Sequence, residues 1–192
     1  MTKKAKIKSI GFVGSGNVAF HLAIALQKAG ILIKKVFSPT KSNTDLFAKK
    51  FDCEAVDSLD DVISGIDMLI LAVPDSKVEF ICNSLADNNT LVVHTSGITC
   101  MDVLKSKKRF GVFYPLQTFS KDRELDMKNI PFCLEANNKE DLQIMYDLAE
   151  KVSSNVHFVD SKKRKLLHLT AVMVSNFSNH LYHLSYDILE AG

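Results

Sequence analysis

The chain lacks the features that would assign it to a membrane, secreted or nucleic-acid-binding class. Its longest apolar run, residues 68–73, is far too short to span a bilayer, and its first residues do not form a signal peptide. The net charge of +2 is too small to indicate nucleic acid binding. The 4 cysteines are scattered without a Cys-x-x-Cys motif, which is typical of a reducing compartment and argues against a zinc site. We therefore expect a cytoplasmic protein with no metal, membrane or nucleic acid partner.

What the chain has is a regular alternation of two patterns up to about residue 160. Short apolar runs, such as residues 31–37 and 66–73, predict strands, and the segments between them predict helices. Strands joined by helical crossovers predict an α/β fold with a doubly wound, mostly parallel sheet of the Rossmann type. The remainder predicts one long helix. We therefore assign residues 1–160 to the sheet domain and residues 161–192 to the first helix of an all-α C-terminal domain.

A glycine turn follows the first predicted strand. Gly14 permits a tight turn, Gly16 lets a pyrophosphate approach the bare backbone, and the small Ala19 lets the helix pack closely against the strand. The free N–H groups and the positive end of the helix then face the phosphates. A purely structural strand–turn–helix is the alternative. The cofactor contacts predicted in this turn are Gly14, Ser15, Gly16, Asn17 and Val18.

The end of the second predicted strand indicates which dinucleotide binds. Ser38, Thr40 and Lys41 follow the strand, and no carboxylate occurs before Asp45. Hydroxyl groups and a lysine suit a ribose 2′-phosphate, whereas an acidic residue there would repel it. We therefore predict NADP(H) rather than NAD, with Ser38, Thr40 and Lys41 as contacts. The alternative is a polar surface turn with no role in binding.

Three further strand ends carry candidate site residues. Val73 and Pro74 are predicted to lie along the nicotinamide half of the cofactor, although a proline that ends the strand explains them equally well. His94 and Ser96 are predicted to line the cleft, with ordinary turn chemistry as the alternative. Tyr114 either donates a hydrogen bond to substrate or is a core tyrosine.

One stripe of the last helix carries mostly uncharged hydrogen-bonding groups, which suits the wall of a half-buried cleft. His168 and Asn176 lie two turns apart on this stripe and could face one ligand, and Lys165 is a weaker candidate. The alternative is that these groups pack against the sheet domain.

The other face of the same helix is broadly apolar and must be buried somewhere. Two explanations stay open. Either a second subunit covers it, or the chain is a truncated piece of a longer protein whose helical domain is missing.

The order of these motifs resembles a known family. The segments at residues 14–19, 73–75, 94–97, 114–119 and 168–176 together resemble the Rossmann-like NADP oxidoreductases that carry a C-terminal helical domain of unknown function. That family is similar to pyrroline-5-carboxylate reductase, to deazaflavin-dependent NADP reductase and to the 3-hydroxyacid dehydrogenases. The resemblance covers essentially the whole chain and implies a homodimer that forms through the helical part.

Two departures from the family pattern bear on the site. The family usually has a histidine before Pro115, where this chain has Tyr114, so either Tyr114 or His168 is the acid–base group. Family members also usually continue for several more helices, which favours truncation.

We therefore predict an NADP(H)-dependent oxidoreductase that transfers a hydride between nicotinamide and a C=N or C=O carbon of a small metabolite. His168 is the predicted proton donor, because histidine titrates near neutral pH. Asn176 is predicted to hold the substrate oxygen or nitrogen, with Lys165 as a weaker catalytic candidate. The alternative is a dinucleotide-sensing or partner-binding Rossmann protein without turnover, since fold analogy alone does not fix a reaction.

Overall fold

The computed structural model describes residues 6–120 and 125–191. In chain order the strands are β1 Ser9–Val13, β2 Leu32–Phe37, β3 Glu54–Ala55, β4 Met68–Leu71, β5 Leu91–His94, β6 Phe110–Pro115, β7 Phe132–Ala136 and β8 Val156–Phe158. The α-helices are α1 Asn17–Lys28, α2 Lys41–Phe51, α3 Leu59–Ile63, α4 Asp75–Ser84, α5 Lys139–Ala149 and α6 Ser161–Ala191.

The strands form one sheet in the order β3-β2-β1-β4-β5-β6-β7-β8. Neighbouring strands are parallel except β6 and β7. This arrangement confirms the α/β, doubly wound, mostly parallel fold. The strand order reverses at β1, because the chain runs outward to β3 and then returns to place β4 on the other side of β1. Ligands of such sheets bind outside the carboxyl ends of the strands at this reversal.

The continuous apolar run in β4 reflects burial on both faces of the sheet. Met68 and Ile70 belong to the core that includes Leu22 of α1, and the alternate residues Leu69 and Leu71 belong to the core on the other face. All residues of β4 are buried. Because a parallel strand is covered by helices on both sides, it needs no polar alternation.

The one antiparallel pair follows from the connection between its strands. The polar segment at residues 116–129 contains no α-helix among its described residues, only the 3-10 turn Met127–Asn129. Without a helical crossover the chain returns in the opposite direction, and Tyr114 pairs with Cys133. The sheet then continues in parallel from β7 to β8.

Helix α6 has 31 residues. Its face toward the sheet includes Arg164, which is fully buried, and His168, which is half-buried. Beyond that region most of its large apolar side chains are exposed, among them Val174, Phe177 and Leu181. No helix in the described part of the chain is long and apolar enough to cross a membrane.

Helices α3 and α4 begin in different ways. Ser58 caps α3, because its hydroxyl accepts from the N–H of Asp61 at 3.1 Å. At the start of α4, Pro74 occupies the cap position and Asp75 is already helical. There the carboxylate still favours the positive end of the helix. The domain boundary at residues 160–161 coincides with the start of α6 and stays a prediction.

Candidate functional site

The glycine turn after β1 is held by contacts that only glycine permits at its first position. Gly14 has a φ of +100°, and a Cβ there would lie 2.2 Å from the carbonyl oxygen of Ala72. Its N–H donates to the carbonyl of Phe37 at 2.8 Å. The turn is therefore fixed between β2 and the segment after β4.

The second glycine of the turn faces open space. A Cβ at Gly16 would meet nothing within 4 Å. Gly16 is also the N-cap of α1, and no side chain caps that helix end. The first turn of α1 contains no acidic residue, while Ala19 is fully buried against the sheet. A helix start of this kind suits a phosphate group, so these residues fit the pyrophosphate of a dinucleotide.

The side chain of Asn17 is already engaged by the loop after β6. Its Nδ2 donates to the carbonyl of Phe119 at 2.9 Å. Next to it, His21 Nε2 lies 2.8 Å from the carbonyl of Ser120, and the rings of His21 and Phe119 are 5.3 Å apart. Asn17 can therefore serve a cofactor through its backbone N–H. The contact of His21 with the loop after β6 was not predicted, since a single histidine within a helical pattern carries no distinguishing signal.

A cavity of about 370 Å³ lies at the end of β2, where the adenosine phosphate is expected. Ser38 and Lys41 line it, and Thr44 shapes the turn by donating to the carbonyl of Ser38 at 3.1 Å. Asp45 and Asp57 also line it. The cavity thus combines one cation with two carboxylates, so its charge selects a 2′-phosphate less strongly than the sequence suggested. The predicted contact Thr40 is exposed at the N-cap of α2, beside the lining residues.

Val73 and Pro74 come directly after β4 and beside the glycine turn. A Cβ at Gly14 would lie 3.2 Å from Cγ1 of Val73, which is half-buried, and Pro74 is exposed. Their position at the strand reversal is the one predicted for a nicotinamide contact, and the contact itself stays a prediction.

His94 does not face the cleft. It is fully buried, and its Nδ1 accepts from the N–H of Ser96 at 3.1 Å. Burial, followed by the charge of Arg164, lowers the pKa of His94 to about 3, so this ring stays neutral. The prediction that the His94 side chain contacts the cofactor is therefore corrected: it is a core histidine behind the loop. Sequence pattern could not reveal this, because the alternation of buried and exposed positions is absent in a strand covered on both faces.

Ser96 organises the loop after β5. Its hydroxyl accepts from the N–H groups of Ile98 and Thr99, at 3.2 and 2.9 Å, and donates to the hydroxyl of Thr99 at 2.8 Å. With only 6% of Ser96 exposed, the geometry favours the turn chemistry that the sequence left open.

Three residues that are distant in sequence meet where α6 contacts the sheet domain: Gly97 in the loop after β5, Tyr114 in β6 and His168 in α6. We call this contact the Gly97–Tyr114–His168 seam. Tyr114 Oη lies 2.8 Å from Nδ1 of His168. A Cβ at Gly97 would lie 2.5 Å from that same nitrogen. Burial raises the pKa of Tyr114 to about 12, so its hydroxyl keeps its proton. The two candidates that the sequence offered for acid–base chemistry are therefore hydrogen-bonded to each other.

A buried arginine anchors α6 to the sheet domain. Arg164 Nη1 pairs with Glu135 at 2.5 Å, and its Nη2 donates to the carbonyl of Thr99 at 2.6 Å. Ser161 also donates to Glu135, at 2.7 Å. Arg164 was missed from the sequence, where it stands in the basic run at residues 162–165. Its position three and four residues from Ser161 and His168 on one helix face is the signal that could have identified it.

The other two predicted catalytic residues are not brought to the seam. Lys165 and Asn176 are both exposed, and neither shares the buried face of α6 with Arg164 and His168. Because α6 turns by 100° per residue, Lys165 points away when Arg164 points inward. Their catalytic roles are therefore without structural support in this chain.

Comparison with known proteins identifies the family. Residues 2–118 match the Rossmann-like domain, and residues 130–192 match a domain of unknown function, DUF2520. A "putative NADP oxidoreductase" from Bacteroides fragilis is 37% identical over 96% of this chain and 73% of that chain, with a TM-score of 0.87. The chain belongs to this Rossmann-like, DUF2520-containing family. The match confirms the family predicted from the order of the motifs.

Two more distant structures share the fold of this DUF2520 protein. Prephenate dehydrogenase from A. aeolicus, in complex with hydroxyphenyl propionate and NAD+, is 17% identical over 98% of this chain and 71% of that chain, with a TM-score of 0.73. Pyrroline-5-carboxylate reductase from Coxiella burnetii is 18% identical over 97% of this chain and 70% of that chain, with a TM-score of 0.67. No curated protein matches the chain.

Proposed function

We propose that this DUF2520 protein is an NADP(H)-dependent oxidoreductase that transfers a hydride between nicotinamide and a C=O or C=N carbon of a small metabolite. One observation carries the proposal: the open, uncapped glycine turn follows β1, and the half-buried His168 of α6 contacts Tyr114 near the end of β6, at the same carboxyl edge of the sheet. The first suits a pyrophosphate, and the second can move a proton. The relationship to the B. fragilis protein supports a dinucleotide-dependent oxidoreductase.

The chain's own residues bind and orient the cofactor. The backbone N–H groups at the start of α1 hold the pyrophosphate over Gly16, where no side chain intervenes. Ser38 and Lys41 hold the 2′-phosphate in the cavity after β2. Bound there, the cofactor supplies the hydride chemistry. Because Asp45 and Asp57 share that cavity, we expect a preference for NADPH over NADH of about tenfold, or about 1.4 kcal/mol.

His168 carries the proton that accompanies the hydride. The heteroatom of a reduced C=O or C=N group needs a proton, and a histidine is suited to supply it near neutral pH. Nδ1 of His168 is occupied by Tyr114 at 2.8 Å, so Nε2 is the ring nitrogen left for a substrate. Arg164 keeps the start of α6, and hence His168, in place.

We also propose that two copies of the chain pair through α6. The helix exposes a row of apolar side chains, including Val174 and Phe177 with 71% and 63% of their surfaces accessible. Apolar surface on this scale favours association. Sedimentation equilibrium tests the proposal: a dimer that Phe177→Asp dissociates supports it, and a monomer at all concentrations contradicts it.

The cofactor proposal is tested by titrating the protein with NADPH and NADH while following nicotinamide fluorescence. We expect tighter binding of NADPH, and loss of both in Gly16→Asp, which places a carboxylate where the pyrophosphate lies. Binding of neither dinucleotide by a folded protein contradicts the proposed function.

Turnover separates the enzyme from a dinucleotide sensor. NADPH oxidation is followed with a panel of ketoacids, aldehydes and imines, and the reverse reaction with the corresponding alcohols and amines. We expect His168→Ala to lower turnover at least about 100-fold while NADPH affinity changes less than about twofold. Tight NADPH binding without turnover on the whole panel indicates the sensor.

A further inference from the structure

We propose that Tyr114 is a positioning residue that donates to Nδ1 of His168 and thereby keeps the histidine proton on Nε2. The substrate is then a neutral carbonyl compound or neutral imine, whose reacting heteroatom can accept that proton. This inference rests on the proposed function, in which His168 delivers the proton. It assigns Tyr114 a role that the sequence left undecided between substrate contact and core packing.

The direction of the hydrogen bond follows from the surroundings of the Tyr114 hydroxyl. Only 7% of Tyr114 is exposed, and a buried O–H without an acceptor is costly. Among the described residues, the one hydrogen-bond partner of this hydroxyl is Nδ1 of His168, at 2.8 Å. The Tyr114 hydroxyl therefore donates its hydrogen bond to Nδ1 of His168. A neutral imidazole that accepts at Nδ1 carries its own proton at Nε2.

The ring of His168 is held in this orientation from several sides. Gly97 is so close that a Cβ would lie 2.5 Å from Nδ1 and 2.9 Å from Cβ of His168. One turn earlier in α6, Arg164 is locked between Glu135 and the carbonyl of Thr99. The ring of Tyr114 belongs to β6, a strand within the sheet. The arrangement leaves little freedom for His168 to exchange its two nitrogens.

His168 and Tyr114 together supply the proton that the reduction needs. As the substrate carbon receives the hydride with its electron pair, the heteroatom takes the proton from Nε2: the N–H bond breaks and an O–H or N–H bond forms. Nδ1 takes the proton of Tyr114; once product has left, solvent protonates Nε2 and the proton on Nδ1 returns to the phenolate, which restores the starting state. Burial raises the pKa of Tyr114 to about 12, so the hydroxyl is protonated beforehand. An alkoxide is a stronger base still, and the transfer therefore runs toward product.

The same geometry selects a class of substrate. An N–H donor at Nε2 pairs with a lone pair on a carbonyl oxygen or a neutral imine nitrogen. A cationic iminium has no such lone pair. Its nitrogen carries either an N–H group or an alkyl carbon, and neither can accept a hydrogen bond from Nε2–H. A substrate that leaves the Nε2–H group without a hydrogen-bond partner is strongly disfavoured relative to one that accepts from it. We therefore expect ketones, aldehydes or neutral imines to be reduced, and quaternary iminium ions to be poor substrates.

The tautomer is tested directly by 15N NMR of the full chain with labelled histidine, at about pH 8.5, where an ordinary histidine is neutral. We expect the His168 signals of an Nε2–H tautomer with a hydrogen-bonded Nδ1, and a shift of the Nδ1 signal in Tyr114→Phe. Tyr182→Phe is the matched control, because Tyr182 lies on α6, the helix that carries His168, and is 77% exposed. A proton on Nδ1, or an Nδ1 signal that Tyr114→Phe leaves unchanged, overturns the positioning role.

Kinetics test the consequence for the reaction. We expect Tyr114→Phe to lower kcat on a carbonyl substrate at least about tenfold, with KM and NADPH affinity within about twofold. We also expect an N-methylated iminium to be reduced at least about tenfold more slowly than the matching ketone. Faster reduction of the iminium overturns the substrate class. Failure of every substrate overturns the proposed function, and the NMR result still decides the role of Tyr114.

Discussion

The glycine turn after β1 and the Gly97–Tyr114–His168 seam share the carboxyl edge of the sheet, yet they are assembled in opposite ways. The turn is made by consecutive residues and ends at Gly16, with no atom within 4 Å of its missing Cβ. The seam joins residues that are up to 71 positions apart, and a Cβ at Gly97 would lie 2.5 Å from His168. The turn is thus shaped to receive a ligand, whereas the seam is already filled by the protein's own side chains.

The comparison also separates glycines by what they serve. Gly14 and Gly97 are required by the protein itself, one against backbone and one against a side chain. Gly16 has no such contact, so the physical reason for a glycine there is the approach of a ligand. Substitutions at these three positions should therefore affect different properties, in a definite order of size.

The largest effect is expected for Gly14→Ala. The new Cβ would lie 2.2 Å from the carbonyl oxygen of Ala72, and the φ of +100° is strained for alanine. Neither the backbone of β1 nor that of the segment after β4 can move without disturbing the central sheet. We expect the free energy of unfolding to fall by about 3 kcal/mol or more, measured by urea denaturation. A variant as stable as the wild type would show that the turn is not fixed as described.

Much of the fold could be predicted because its signals are local. The apolar run of β4 and the turn at Gly14 each act within a few residues, and both were identified from the sequence. The antiparallel direction of β7 was harder to predict from the sequence. Its cause is the absence of a helix from the described part of the connection, which a pattern of polar residues indicates only weakly.

The candidate site was predicted in part, and the misses have one cause. His168, predicted for the polar stripe, is half-buried, but Lys165 was placed with it instead of Arg164, which is fully buried. Helical periodicity gives the spacing of a face, not which neighbouring residue will find a partner. The partners of Arg164, Glu135 and Thr99, lie 29 and 65 residues away. Contacts over such distances are decided by the assembled sheet.

An intermediate effect is expected for Gly97→Ala, which forces His168 away from the loop. Loss of the hydrogen bond to Tyr114 together with local strain should lower the free energy of unfolding by about 1–3 kcal/mol. The 15N signals of His168 should change, while NADPH affinity stays within about twofold. Denaturation curves and the NADPH titration measure the two quantities.

A double-mutant cycle with His168→Ala provides the control for Gly97→Ala. Removal of the imidazole deletes the two nearest atoms, Nδ1 at 2.5 Å and Cγ at 2.6 Å, and leaves only Cβ at 2.9 Å. The cost of Gly97→Ala should therefore fall by at least half in the His168→Ala background. An unchanged cost would mean that Gly97 is constrained by something other than His168.

The smallest effect on the protein is expected for Gly16→Ala, and it is the substitution that sets the turn apart from the seam. The φ of −75° suits alanine and the Cβ has open space, so we expect the free energy of unfolding to change by less than about 1 kcal/mol. The methyl group instead occupies the surface that a pyrophosphate approaches, and NADPH affinity should fall about tenfold, or about 1.4 kcal/mol. Denaturation and nicotinamide fluorescence on the same sample measure both. If affinity is unchanged, the dinucleotide does not lie over Gly16; if stability and affinity fall together, the open space at this glycine serves the fold, and the distinction between the two regions fails.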